Sequence, residues 1–168
     1  MFSVVAFSQA KFFVMPHLKT NLSTIDFMDN NDAKNAFNFN IGVTGGIRLA
    51  GSVSHFMGLQ LARNGYGYVE QIDDDSDVSV SFGATFVGAQ YFYRTNSGFA
   101  IGGNAGCNFW DKNFLYDGDK YKSRLSKTFA AELQAGYSWT HVALLGEVNY
   151  NNGFGFGACL CFPIFSAQ

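Results

Sequence analysis

Four charged residues in this sequence stand where an interior could use them: Lys19, Arg48, Glu132 and Glu147. Each falls, by the alternation of its stretch, on the side that would turn inward. Two cations and two carboxylates turned into one narrow interior neutralise one another, which a low-dielectric setting demands. Such a network is an ionic plug, either static or able to rearrange and pass small ions. Glu132 and Glu147 lie on adjacent stretches and also have the chemistry of an acid/base pair. Glycoside hydrolysis needs a substrate cleft beside that pair, and nothing in the sequence builds one. No catalytic residue and no enzymatic activity are expected.

The remaining chemistry-bearing residues are dispersed. His17, His55 and His141 fall near the ends of separate stretches and make no ligand set. Cys159 and Cys161 share one face of a strand at i, i+2, a poor geometry for a disulfide, and Cys107 points to an apolar face. A metal site would need His or carboxylate neighbours beside these thiols; none is placed there, so all three read as small packing residues and no metal is expected. Gly42, Gly46, Gly102, Gly103 and Gly106 make no phosphate loop, because no helix and no Lys-Ser/Thr pair follows them. No cofactor is expected.

The elements that would position these residues alternate with a period of two, the signature of a strand with one face in each of two environments. Val78, Val80, Phe82, Ala84 and Phe86 oppose Ser79, Ser81, Gly83 and Thr85, and after Arg94-Thr95-Asn96-Ser97-Gly98 a second limb opposes Phe99, Ile101, Gly103, Ala105, Cys107 and Phe109 to Ala100, Gly102, Asn104, Gly106 and Asn108. The polar face carries small uncharged groups, as if the apolar face met lipid and the polar face lined a narrow interior. Read in order, strands are expected at about 13–22 (weakened early by Pro16), 37–49, 53–66, 78–93, 99–110, 125–137, 141–150 and 154–165. Long polar loops are expected at 23–36, 65–77 and 111–123, and tight turns at 50–52, 94–98 and 138–140, with Asn151-Asn152-Gly153 a further short link. Eight strands with long loops at one rim and short turns at the other describe an all-β, eight-stranded antiparallel up-and-down transmembrane β-barrel, its termini on the periplasmic side. At that size side chains fill the interior and leave no continuous pore.

Composition agrees. Charged residues make up 14% of the 168, with 19 Gly, 19 Phe and 2 Pro, against about 25% charged in typical globular domains. The net charge of −2 and the absence of a basic, aromatic-interleaved cluster exclude nucleic acid as a partner. No apolar run reaches the ~18–20 residues of a membrane helix, which leaves strands of ~9–11 residues as the crossing elements. Tyr91, Tyr93, Trp110, Tyr137, Trp139 and Tyr150 cluster near strand ends, as interfacial aromatic girdles do; Tyr66 and Tyr68 stand in similar positions. Residues 1–10 resemble the close of a secretory signal, an apolar run followed by Ser8-Gln9-Ala10, so one barrel domain is expected over 11–168.

Q-A-K-F-F-V-M-P-H-L-K-T-N-L-S at 9–23 and I-G-V-T-G-G-I-R-L-A-G-S-V-S-H-F-M-G-L-Q-L-A-R-N-G-Y-G at 41–67 resemble the opening strand and next hairpin of the PorT-like outer-membrane β-barrels of Gram-negative bacteria, and more broadly the OmpA/OmpX-type small barrels. Thr20-Asn21-Leu22-Ser23 stands where that family has Gly-Leu-Asn-Leu-Ser, while Phe82-Gly83-Ala84-Thr85 departs from its Leu-Glu-Ile-Pro-like stretch. Gly157, Leu160 and Phe162 partly match the terminal strand signal of such barrels. The resemblance implies the bacterial outer membrane, contact with its lipid, and a role in envelope integrity, in adhesion through the long loops, or as a subunit of a larger outer-membrane complex. Two other readings fit the alternation: a soluble lipocalin-like barrel holding an apolar ligand, and a narrow ion channel. The first would leave a charge-poor surface in water.

Overall fold

The computed structural model describes residues 10–25, 34–50, 53–73, 76–123 and 125–165. Its strands are β1 (Ala10–Ile25), β2 (Lys34–Ala50), β3 (Val53–Asp73), β4 (Ser76–Thr95), β5 (Phe99–Trp110), β6 (Asn113–Tyr116), β7 (Asp119–Lys122), β8 (Lys127–Ser138), β9 (Ala143–Asn151), β10 (Phe154–Cys161) and β11 (Ile164–Phe165). Eight of them, β1 to β5 and β8 to β10, pair antiparallel with their neighbours, and β1 pairs with β10 to close the barrel. The register gives the stagger: Phe13 faces Phe165, and one circuit through Gly46, Gly58, Gln90, Asn104, Glu132 and Asn149 returns at Gly155. Phe165 on β11 and Gly155 on β10 are ten residues apart along the chain, the offset that tilts the strands and sets barrel width.

The wall is inverted relative to a soluble sheet. Leu133 is 74% exposed, Leu59 73% and Ile41 55%, whereas Gln60, Gln134 and Thr44 are at most 2% exposed. Closed pairing leaves no free edge at lipid depth, the condition for crossing a bilayer with strands. Pro16 does not shorten the first strand, which begins at Ala10. Pro16 accepts the Phe162 N–H at 2.9 Å but has no N–H to return, and the ladder on that side breaks between β10 and β11. The expected signal remnant at 1–10 falls almost wholly outside the described residues; only Ala10 is seen, as the start of β1.

Three expectations are corrected. Segment 65–77 is not a loop: β3 and β4 continue as a paired ribbon up to Asp73 and Ser76, with a register shift at Gln71/Asp73. Segment 111–123 contains the β6–β7 hairpin, turned by Asp117 (φ 49) and Gly118 (φ 85), two consecutive positive φ values that set a primed hairpin turn. The third correction concerns β4, whose faces are the reverse of those expected. Val80 is 2% and Phe86 5% exposed on the inner side of the strand, while Ser79 and Ser81 face outward and are exposed. Above the lipid belt, water lies outside the wall, so the strand reverts to the soluble pattern with its apolar side inward.

Candidate functional site

Inward-facing side chains form three layers. At the short-turn end Phe13, Met15, Phe56, Phe92, Ala100, Ala143, Leu145, Cys159 and Cys161 pack as one apolar cluster. At the other end Ile25, Ala36, Tyr66, Ala84 and Trp110 pack with Tyr68, Phe82 and Leu125. Between them lies a polar belt. Apolar plugs above and below it close the lumen to a continuous water column, so the fold is a filled barrel.

Lys19 is the centre of the belt, 3% exposed. Its Nζ donates to Glu132 Oε1 at 2.6 Å and Oε2 at 2.8 Å and lies 3.8 Å from Glu147 Oε2. Glu132 also accepts from Gln134 Nε2, and Glu147 Oε1 accepts from Asn21 Nδ2 at 3.1 Å. The strands place these groups by parity and pairing: Lys19 faces Cys159 on β10, and Glu147 faces Gly157, where a Cβ would run into Thr20 and Asn21 of β1. Amides continue the belt: Asn40 donates to Asn64, Asn64 to Asn108 at 3.0 Å, and Thr44 Oγ1 to Gln90 at 2.5 Å. His17 Nε2 lies 3.0 Å from Gln60 Nε2. Gly42 makes room for that ring, since a Cβ there would stand 2.6 Å from His17 Nε2. A cavity of about 40 Å³ remains among Lys19, Asn40, Gln60, Asn104 and Glu132, room for a few waters and no organic solute.

Arg48 does not join this group. It shares the inward face of β2, but Lys19 pairs with Asn40, eight residues away, or about 26 Å of strand at ~3.3 Å per residue. Arg48 Nε and Nη2 instead donate to Ser54 Oγ at 3.2 and 2.9 Å, with the guanidinium 5.7 Å from the Phe56 ring centre. Parity gives a side chain's face and says nothing of its height. Cys159 and Cys161 point inward with their sulfurs 3.1 Å apart and are both free.

Of the expected girdle residues, Tyr91, Tyr137, Trp139 and Tyr150 are exposed on the outer wall. Tyr91 Oη meets His55 Nδ1 at 2.8 Å, and Tyr93 packs its ring 5.5 Å from the same imidazole. Trp110 is the exception. It is 7% exposed, packed at a tilt with ring centres 5.1 Å from Tyr66 and 5.9 Å from Phe82, and donates Nε1–H to Thr128 at 2.8 Å. Its even position on β5 turns it into the upper plug, where an indole both fills space and finds an acceptor.

A second feature lies outside the lumen. β3 past Gly67 has no partner on β2, and β4 pairs with β3 on one side and with β6 at Val80 and Ser81 on the other. β3, β4, β6 and β7 therefore extend the sheet past the barrel rim as a ledge. Beneath the hairpin runs a groove of about 520 Å³, lined by Phe39, Ile41, Arg63, Asp111, Phe114 and Lys120 among others. Arg63 and Asp111 form a two-point ion pair across it, one arm Nη1 to Oδ1 at 2.9 Å. The edge strand β7, Asp-Lys-Tyr-Lys, is exposed throughout, and its charges guard it against strand addition. Asp117-Gly118 between Phe114-Leu115-Tyr116 and Lys120-Tyr121-Lys122 was the sequence signal for this hairpin.

No known family profile and no curated protein sequence matches this chain, so the narrower likeness to PorT-like barrels gains no support. Solved structures do align. Ail, the attachment invasion locus protein of Yersinia pestis, crystallised with the heparin analogue sucrose octasulfate, superposes with a TM-score of 0.54 at 12% identity over 93% of this chain and 99% of that one. A second structure of Ail gives 0.50 at 12% identity over 94% and 97%. Likeness at this identity speaks to the fold, and with the lipid-facing wall it leads to one conclusion: the chain is a closed, eight-stranded β-barrel of the outer-membrane type.

Proposed function

We propose that this chain is a small, pore-less barrel of the bacterial outer membrane that displays its β3–β4–β6–β7 ledge outside the cell to hold an extracellular ligand. The observation that carries the reading is the ledge itself, a sheet built past the rim at a cost in exposed strand that the barrel does not need for closure. The ligand class that suits it is an anionic saccharide. Lys112, Lys120 and Lys122 are exposed on and beside the hairpin, Tyr121 is 48% exposed between two of them, and the groove adds Phe114. Cations meet sulfate or carboxylate groups while aromatic faces meet sugar rings. Ail, similar in fold, was crystallised with a heparin analogue, which is consistent with this choice.

The plugged lumen argues against conduction, and its polar belt serves to hold the barrel in register. Replacing 113–122 with a short Asn-Gly turn tests the proposal. The variant should still fold, judged by its shifted migration on unheated gels, and should lose salt-sensitive retention on immobilised heparin fragments. Unchanged retention, or none by the intact protein at physiological salt, would refute the ligand assignment.

A further inference from the structure

Charge is sorted along the barrel axis. Apart from Glu132 and Glu147, every carboxylate side chain in the sequence falls within 26–32, 70–77 or 111–119. Among the described residues, the short-turn end contains none. It does contain Lys11, Arg48 and Arg94, all three on the inward side of their strands and only partly buried.

These cations are gathered. Lys11 and Arg48 are direct cross-strand partners, and Arg94 is the partner of Ser54, the residue whose hydroxyl holds the Arg48 guanidinium. Arg94 spends only Nε, on the Ser138 carbonyl at 3.1 Å, and Lys11 makes no hydrogen bond or ion pair among the described residues. Directly beneath them the Phe13, Phe56 and Phe92 rings pack edge to face at 5.5 and 6.1 Å and close the lumen. The mouth is thus a cup with cationic walls and an apolar floor. Like charges held close together are unfavourable, and forked guanidinium groups bind tetrahedral oxyanions by paired hydrogen bonds.

We propose that the short-turn mouth is a binding site for an oxyanion of the phosphate class, held by Arg48, Arg94 and Lys11. The site is a dead end: the apolar cluster bars the anion from the polar belt. It is separate from the ledge, and its test does not depend on which ligand the ledge takes.

The probe is inorganic phosphate, titrated into the folded barrel in zwitterionic micelles, with sodium chloride at matched ionic strength as the comparison. Arginine Nε–H resonances are followed by NMR. Those of Arg48 and Arg94 should move to saturation with phosphate and not with chloride, while that of Arg63, committed to Asp111, should stay. Arg94→Gln and Lys11→Gln should each weaken the saturation midpoint about tenfold, the loss of one charge-assisted contact, with the Arg63 resonance unmoved as evidence of an intact fold. A chloride response equal to that of phosphate, a shared shift at Arg63, or midpoints unchanged in both variants would overturn the proposal.

Discussion

Replacing Lys19 with Met should be far more damaging than replacing either of its carboxylate partners, and the geometry says by how much. Lys19 is buried and holds Glu132 through two contacts at 2.6 and 2.8 Å, with Glu147 at 3.8 Å. One ammonium faces two carboxylates, so its removal leaves two buried acids turned toward each other. Removing one side of a buried pair costs about 3–5 kcal/mol, and Lys19→Met should lie at or above the upper end. Glu132→Gln keeps one carboxylate, Glu147, beside the ammonium and should cost about 2–3 kcal/mol, the range for a charge-assisted hydrogen bond. Glu147→Gln removes the weaker contact and the surplus negative charge while keeping an acceptor for Asn21, and should cost least of the three. The triple replacement should recover much of the Lys19→Met loss. Urea unfolding midpoints in lipid vesicles give the order. If Lys19→Met were no worse than Glu147→Gln, the ammonium would not be holding the belt together.

Further outcomes follow from the same geometry. Glu132→Gln and Arg48→Met should be additive within about 0.5 kcal/mol, because the two sites share no partner; a measurable coupling in the double-mutant cycle would contradict the separation of the two groups. Leu133→Arg should cost about 2–4 kcal/mol in the lipid belt, while Ser81→Arg should be nearly neutral and Val80→Arg severe; the opposite order at 80 and 81 would restore the faces first expected for β4. Gly42→Ala should destabilise by about 1–3 kcal/mol, the usual cost of overpacking, and the His17 ring resonances should shift; an unchanged spectrum would mean the ring does not need that space.

Most of the barrel was legible because lipid on one side and a packed lumen on the other impose a strict two-residue period, as at Phe37–Leu49 and Phe99–Phe109. Where the outer medium changes from lipid to water, the same period continues with its meaning reversed, and Val78–Phe86 misled for that reason. Trp110 misled similarly: near a strand end an indole can anchor in the interface or plug the mouth, and only its parity separates the two. The candidate site was half visible. Alternation put Lys19, Glu132 and Glu147 on one inner face, but their meeting depends on strand stagger, which comes from the register of all eight pairings and is written in no single segment. Arg48 was misplaced by the same gap. The ledge was hidden by polarity, since residues 65–77 and 111–123 have the composition of loops and differ from them only in pairing.

The central claim is that the ledge stands outside the cell on a barrel whose short turns lie on the other side. In a background lacking Cys107, Cys159 and Cys161, single cysteines at Lys122 and Ser97 can be probed on intact cells with a membrane-impermeant maleimide. The account predicts labelling of K122C on intact cells and of S97C only after the outer membrane is permeabilised. Labelling of S97C from outside with K122C protected would contradict it.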